Sequence, residues 1–165
     1  MSEADAKPVA GSDVAERLAA SGHLLPSPLE PRGSYVNGRR DGDLVHLSGH
    51  TDRGAAGLQG QAPPGLDDDL EGARRAARIA AVNLVAAAST AVELDAIEAV
   101  VHLRGYVAST PAFTQHPRVV DAASELLHLA FKPEDAHTRA AIGVSSLPSG
   151  GIVELEAVLR VRSGV

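Results

Sequence analysis

The most informative pattern in this 165-residue chain is a hydrophobic repeat that switches between a period of two and a period of about 3.6. From Ile97 to Ser109, from Thr138 to Ser146 and from Ile152 to Arg162, the residues favour strands, two of them with clear apolar and polar alternation. From about Leu70 to Thr90, and from Pro117 to about Phe131, apolar residues recur every three or four positions, which predicts two long helices. This order predicts an α+β fold in which two helices form a layer on one side of a mixed β-sheet.

A short N-terminal segment precedes the predicted main domain. Residues 1–32 are expected to comprise a leader, a short helix and a proline-rich connector, and residues 33–165 the domain itself. The helix is expected to begin with a capping box at Asp13, because Glu16 follows three residues later. Gly22 is placed to end this helix, since glycine adopts the left-handed conformation of a helix terminus at little cost.

Two more strands are predicted as a hairpin upstream of the long helices. The runs from Ser34 to Arg39 and from Leu44 to Gly49 are β-prone, and the Asp41-Gly42 pair between them is a strong turn signal. The stretch 51–66 is rich in Gly, Gln and Pro and has no periodic pattern. Because it is longer than most connections, we expect a loop that is either mobile or functional.

The face of the predicted sheet that lies away from the helices has an unusual mixture of polarity. It is expected to carry His46, Ser48, His102, Arg104, Arg139, Glu154 and Glu156 beside Ala and Leu. Such a face is too apolar for open water and too charged for a dry core. A partner subunit over it would resolve both problems, so we expect a homo-oligomer.

The composition argues against several classes of protein. Fifteen Lys and Arg against 21 Asp and Glu give a net charge of −6, and aromatic residues make up only 2% of the chain. Nucleic-acid partners are disfavoured, because phosphates are repelled and few rings are available for stacking on bases. The chain has no cysteine, and no nucleotide-binding motif, signal-peptide pattern or membrane-spanning stretch is evident. We therefore expect no cofactor, no membrane attachment and a cytoplasmic location.

A metal centre and a serine nucleophile are also not indicated. His46 and His50 are the only close pair among seven histidines, and four residues along a strand separate them by about 13 Å, so they cannot chelate one ion. The segment Gly143–Leu147 lacks the second glycine of a nucleophile elbow and continues into Pro148 instead of a helix. No metal site is therefore predicted.

Arg139 and Glu154 are the residues best suited to chemistry. Arg139 is flanked by small residues, which leaves room for a ligand carboxylate to bind its guanidinium group in a bidentate manner. A partly buried Glu154 on the following strand could orient or deprotonate a water molecule. A structural ion pair between the two strands would explain the same two residues, so this pattern alone leaves both interpretations open.

Three motifs in order carry a resemblance to a known family. They are Gly33-Ser34-Tyr35 with Ser48-Gly49 thirteen residues later, then Thr138 to Val144 with Leu147-Pro148, and finally Val153-Glu154-Leu155-Glu156-Ala157. The span from about Gly33 to Val161 resembles the RidA/YjgF family, also known as L-PSP endoribonuclease or translation initiation inhibitor proteins. The resemblance implies a chorismate-mutase-like fold and a homotrimer with a central β-barrel and ligand pockets between subunits.

The resemblance also implies an activity and a set of site residues. The activity is cofactor-independent hydrolysis of reactive enamine or imine acids, such as 2-aminoacrylate, to 2-keto acids and ammonia. Arg139 would bind the substrate carboxylate, Glu154 would hold the attacking water and Tyr35 would help to close the pocket. Backbone N–H groups of Gly49 and Ala141 would contact the substrate. The substrate-binding set further includes Ser48, expected mainly as a structural hydrogen-bonding residue, and Asp121.

Several positions depart from the family pattern. His50 stands where Gln is common, Ser34 replaces Pro, Ala141 replaces Cys, Asp121 stands where many members have Asn, and Ser124 where an aromatic residue is frequent. A pocket that is wider and differently charged is the expected result. The alternatives are a regulatory trimer that binds a small carboxylate ligand without robust catalysis and, third, an endoribonuclease.

Overall fold

The computed structural model describes residues 11–54, 57–58, 69–134 and 136–164. Its main elements are α1 (Asp13–Ala20), β1 (Gly38–Asp41), β2 (Leu44–Thr51), β3 (Arg53–Gly54), β4 (Gly57–Leu58), α2 (Leu70–Ala88), β5 (Ile97–Ala108), α3 (His116–Phe131), β6 (Thr138–Val144) and β7 (Val153–Val161). Five strands form one sheet in the order β1-β2-β7-β5-β6, and β3 pairs with β4. In the five-stranded sheet only the pairing of β5 with β6 is parallel. The predicted α+β fold with a mixed sheet is confirmed.

The helices α2 and α3 pack against each other and on one face of the five-stranded sheet. The two predicted apolar stripes lie buried in this layer: Ala73, Ala77, Ala80, Leu84 and Ala87 on α2, with Val120, Ala123, Leu127 and Ala130 on α3. Small side chains let the helices approach closely. At Gly105 of β5, for example, a Cβ atom would lie only 2.6 Å from Val120 Cγ2. Within the described part of the chain, no helix is long and apolar enough to span a bilayer.

The N-terminal helix α1 begins differently from the prediction. Ser12, not Asp13, is the N-cap, because its Oγ accepts a hydrogen bond from the Ala15 N–H at 3.1 Å. Asp13 is already helical, and its own N–H donates to the Asp95 carboxylate at 3.0 Å. The helix ends as expected, with Gly22 at a φ of 86° in the left-handed region.

The predicted hairpin forms, but its first strand is shorter than expected. Pairing starts at Gly38 instead of Ser34, and the connection is the two-residue turn Gly42-Asp43 between the paired residues Asp41 and Leu44. Gly42 has a φ of 61°, which explains why glycine is needed at this tight turn. The remainder of the predicted first strand is an irregular segment that approaches the functional site.

A β-bulge in β2 changes which side chains face the helices. Leu47 pairs with Ala157 and His50 pairs with Leu155, so two residues of β2 lie opposite one residue of β7. His50 therefore lies on the helix side of the sheet, only 7% exposed. The extra residue falls at Ser48-Gly49, a segment already singled out for its motif.

Strand β5 also departs from the strict alternation predicted for it. Its register against β7 slips twice, between Ile97 and Ala99 and between Val100 and His102. As a result Val100 is 3% exposed, whereas Val101, which strict alternation with Leu103 would place on the buried face, is 38% exposed. Regular alternation holds only after these irregularities.

The face of the sheet opposite the helices is uncovered in the single chain and carries most of the polar residues predicted for it. Arg104 and Glu156 face each other there and form an ion pair across β5 and β7. Arg139 is the exception. It pairs in register with Leu103, whose side chain is buried under the helices, so Arg139 projects toward the helix side. The expectation that Arg139 shares a face with Glu154 is wrong.

Candidate functional site

One part of the candidate site is a small cavity at the end of β2 and the start of β7. It measures about 120 Å³, and its polar wall includes Arg32, Tyr35, His50, Arg53 and Glu154, with the backbone of Gly49. We call this cavity the glutamate half-site. A volume of this size holds a few water molecules or a ligand of about six non-hydrogen atoms.

Glu154 lies directly above Gly49. A Cβ atom at residue 49 would fall 1.9 Å from Glu154 Oε1, so only glycine leaves room for the carboxylate in this position. Partial burial, assisted by the nearby negative charge of Glu156, raises the pKa of Glu154 above its usual value. A carboxylate whose pKa is raised is a stronger base toward a water molecule, which suits it to accept a proton and return it.

Tyr35 and Ser48 differ in their roles at this half-site. Tyr35 is 51% exposed on the irregular segment before β1 and lines the cavity. The Ser48 hydroxyl donates to the Val36 carbonyl at 2.6 Å, and its N–H donates to the Asn37 carbonyl at 2.9 Å. Ser48 therefore holds the segment that carries Tyr35 against β2, which agrees with the structural role expected for it.

His50 contributes to the glutamate half-site in a way that sequence patterns did not predict. Burial, together with the charge of Arg53, lowers its pKa from 6.5 to about 4, although a hydrogen bond with the Asn37 backbone opposes this shift. The imidazole is therefore neutral at pH 7, and its Nε2 atom is buried without a hydrogen-bond partner. The bulge at Ser48-Gly49 produces this placement, and local sequence gives no direct signal for it.

The connection after β2 is held by two buried polar residues. Asp52 is fully buried, and its Oδ1 accepts hydrogen bonds from the N–H groups of Ile152 at 2.9 Å and Val153 at 3.4 Å. The Asn83 amide of α2 donates to the carbonyls of Thr51 at 2.9 Å and Arg53 at 2.6 Å. The bonds of Asp52 fix the start of β7, next to Glu154. The bonds of Asn83 hold the connection after β2 against α2. Most of the predicted 51–66 loop lies outside the described residues.

The second part of the candidate site surrounds Arg139 on the edge strand β6. Its Nη1 donates to Asp121 Oδ1 at 2.7 Å and to Ser124 Oγ at 3.0 Å, and both partners belong to α3. Ser124 Oγ also lies 3.0 Å from His137 Nε2. Burial, followed by the positive charge of Arg139, lowers the pKa of His137. We call this group, which also has the partly buried Ala141 beside it, the arginine half-site.

The two half-sites do not meet within one chain. Strand β5 lies between β6 and β7, so Arg139 and Glu154 are not on neighbouring strands, and their side chains project to opposite faces. The alternative of an ion pair between the two residues is therefore wrong, because Arg139 pairs with Asp121 instead. Among the described residues, no group of three His, Asp or Glu side chains is placed to hold a metal ion.

Comparisons with known proteins agree with the arrangement of motifs. Residues 26–161 match the model of the family described as Endoribonuclease L-PSP. Protein TCP17 of Trypanosoma cruzi is 33% identical over 159 residues, which cover 94% of this chain and 98% of that protein. The Agrobacterium tumefaciens protein Atu1372, whose function is unknown, is 32% identical with a TM-score of 0.79, over 90% of this chain and 91% of that one.

A solved structure with lower sequence identity, that of a RidA protein, has the same fold as this chain. RidA from an Antarctic Psychrobacter is 21% identical with a TM-score of 0.56, over 82% of this chain and 94% of that chain, so the likeness shows a shared fold. The family model covers most of the chain, and it includes both half-sites. The chain belongs to the RidA/YjgF family, the Endoribonuclease L-PSP family of proteins.

Proposed function

We propose that this protein hydrolyses reactive imine or enamine acids to 2-keto acids and ammonia, at sites formed between two copies of the chain. The observation that carries the proposal is the presence of two complementary half-sites, a guanidinium group with one edge available and a carboxyl group with a raised pKa beside a cavity. The family assignment supports an enzymatic role in general, and the imine chemistry rests on the residues.

The chemistry needs only these groups and water. The Arg139 guanidinium holds the substrate carboxylate, and Glu154 accepts a proton from a water molecule as the water oxygen bonds to the imine carbon. This addition gives a carbinolamine. Glu154 then returns the proton to the nitrogen of the carbinolamine. The C–N bond breaks, and ammonia leaves with the electron pair of that bond. The C=O bond forms as the hydroxyl group releases its proton. Positioning supplies much of the rate, because a protonated imine carbon is already electrophilic.

The second copy of the chain is part of this proposal. The uncovered sheet face exposes Leu44 by 37% and Ile142 by 42%, next to the Arg104–Glu156 ion pair. Such a face is stabilised when a second copy covers it. We propose a homotrimer, as the family resemblance implies, in which the arginine half-site of one copy approaches the glutamate half-site of the next. Light scattering at micromolar concentration tests this, and a stable monomer would contradict it.

Ligand binding without turnover is the second candidate function. The observation that favours it is that Asp121 and Ser124, two positions that depart from the family pattern, both bind Arg139, so the residue expected to hold the substrate has different neighbours here. RNA cleavage is the third candidate, and only the family description supports it. The net charge of −6 and the low aromatic content argue against it.

The deciding experiment measures 2-keto acid release from 2-aminoacrylate or 2-iminobutanoate generated in place by a dehydratase. The wild type is compared with Arg139→Ala and Glu154→Ala, with Arg75→Ala on the exposed surface of α2 as the matched arginine control. We expect acceleration by the wild type and the control, and its loss in both site variants. No acceleration by folded wild type would reject the hydrolase and leave ligand binding.

A further inference from the structure

The way in which Asp121 and Ser124 bind Arg139 determines where a ligand carboxylate can bind. Both hydrogen atoms of Nη1 are used, one for each partner on α3. No other bond to Arg139 is found among the described residues, so its Nε–H and the adjacent Nη2–H remain available. These two donors lie on one edge of the planar guanidinium group and match the two oxygen atoms of a carboxylate.

A ligand on this edge would be close to the Asp121 carboxylate. Two carboxylates that bind adjacent edges of one guanidinium group lie within about 6 Å of each other. Asp121 therefore repels the negative charge of the ligand and attracts any positive charge next to it. The other neighbours do not cancel this effect, because Ser124 is uncharged and the lowered pKa of His137 favours its neutral form.

The charges of the glutamate half-site do not select between zwitterionic and anionic ligands in the way that Asp121 does. The cavity wall there holds two arginines, Arg32 and Arg53, and two carboxyl groups, Glu30 and Glu154, so positive and negative groups are equal in number. The charges of that cavity wall therefore balance, whereas the Asp121 carboxylate is bonded to the same guanidinium group that would hold the ligand. Asp121 can thus distinguish a zwitterionic ligand from an anionic one of the same shape.

We propose that Asp121 makes the site select zwitterionic ligands, in which a cationic iminium or ammonium nitrogen adjoins the carboxylate, over simple carboxylate anions. For the proposed reaction, on which this inference rests, the protonated imine acid is such a zwitterion and the 2-keto acid product is an anion. Asp121 would thus stabilise the reactive protonated form of the substrate and favour release of the product.

A pair of unreactive ligands of similar shape tests the selectivity. The probes are L-2-aminobutanoate, which is zwitterionic, and L-2-hydroxybutanoate, which is anionic, and their Kd values are measured by isothermal titration calorimetry. The full-length wild type is compared with Asp121→Asn, which keeps an acceptor for Arg139 but removes the charge, and with Asp121→Glu, which retains it. Glu125→Gln is the matched control, since it removes a charge one helical turn away that pairs with Arg74 and not with Arg139.

The measured quantity is the ratio of the two Kd values. We expect Asp121→Asn to reduce the preference for the amino acid by about tenfold, and Asp121→Glu and Glu125→Gln to retain most of it. An unchanged ratio in Asp121→Asn, with binding of both probes lost in Arg139→Ala, would overturn this inference and leave the proposed function intact. If neither probe binds the wild type, the carboxylate site itself is rejected, and the proposed function fails with it.

Discussion

Arg139 and Glu154 lie on opposite faces of the sheet, on two strands that are separated by β5. Arg139 is in register with Leu103, and Glu154 is in register with Tyr106, three residues further along β5. Residues an odd number apart on a regular strand project to opposite faces. One small substrate therefore cannot contact both side chains of the same chain, and any chemistry that needs both residues requires two copies.

Mixing two inactive variants should restore activity. If Arg139 of one copy serves Glu154 of another, a trimer that contains both Arg139→Ala and Glu154→Ala chains includes some intact sites. Random assembly from equal amounts makes about one site in four intact, so we expect about a quarter of wild-type 2-keto acid release. The variants are unfolded and refolded together, or coexpressed, before the assay.

Each variant refolded alone is the control, and it should stay inactive. A mixture that is no more active than its components, although light scattering shows that it forms mixed oligomers, would mean that the two residues do not act across subunits.

Alanine in place of Gly49 should lower activity, whereas alanine in place of Gly105 should lower stability. At residue 49 the new methyl group meets the end of the flexible Glu154 side chain, which can move aside. We expect Gly49→Ala to fold normally but to release 2-keto acid at least about tenfold more slowly, because the carboxylate is displaced.

At residue 105 the methyl group would meet packed Val120 and Leu155 in the core. Gly105→Ala should therefore lower the free energy of unfolding by about 1–3 kcal/mol. Urea unfolding and the activity assay separate the two effects. Equal loss of stability in both variants would contradict the placement of Glu154 over Gly49.

The buried His50 should make stability depend on pH. Its pKa is about 4 in the folded chain and near 6.5 in the unfolded chain, so unfolding takes up a proton between these values. Since the unfolded state binds more protons, this contribution destabilises the protein as the pH falls, by up to about 3 kcal/mol at pH 4.

His50→Gln should remove this contribution, so its free energy of unfolding should rise relative to that of the wild type as the pH falls from 7 to 4. His46→Gln, on the exposed face of the same strand, is the control and should follow the wild type. Urea unfolding across the pH range measures the difference. Parallel curves for the wild type and His50→Gln would show that His50 is not held neutral.

Removing the Asp52 carboxylate should destabilise the start of β7. Asp52→Ala leaves the Ile152 N–H, and to a lesser degree the Val153 N–H, buried without an acceptor. We expect a loss of about 1–3 kcal/mol in the free energy of unfolding. Activity should also fall, because Val153 precedes Glu154.

Asp52→Asn keeps one acceptor oxygen and should lose less stability than Asp52→Ala. Chemical denaturation of both variants gives the comparison. Equal stability of Asp52→Ala and the wild type would show that these N–H groups find other partners.

The elements of the fold could be predicted where the signal is local. The alanine stripe of α2 and the Gly42 turn both have patterns that depend on a few neighbouring residues, and the structure confirms both. The exposure of Val101 was not predictable in this way. It depends on β-bulges that appear only when β5 pairs with β7.

The candidate site was predictable only in part. The motifs identified Arg139 and Glu154, but not the ion pair of Arg139 with Asp121 or the burial of His50. Strand order decides the first of these, because it places β6 at the sheet edge next to α3. The bulge at Ser48-Gly49 decides the second.

The sequence by itself determined the helices, the strands, the family and the chemical groups available, because hydrophobic periodicity and short motifs are properties of neighbouring residues. The tertiary structure decided which groups meet. Strand β7 enters the sheet between β2 and β5, and this places Glu154 above Gly49 and away from Arg139. The physical reason is that strand order and register depend on the burial of whole apolar faces, which no local pattern encodes.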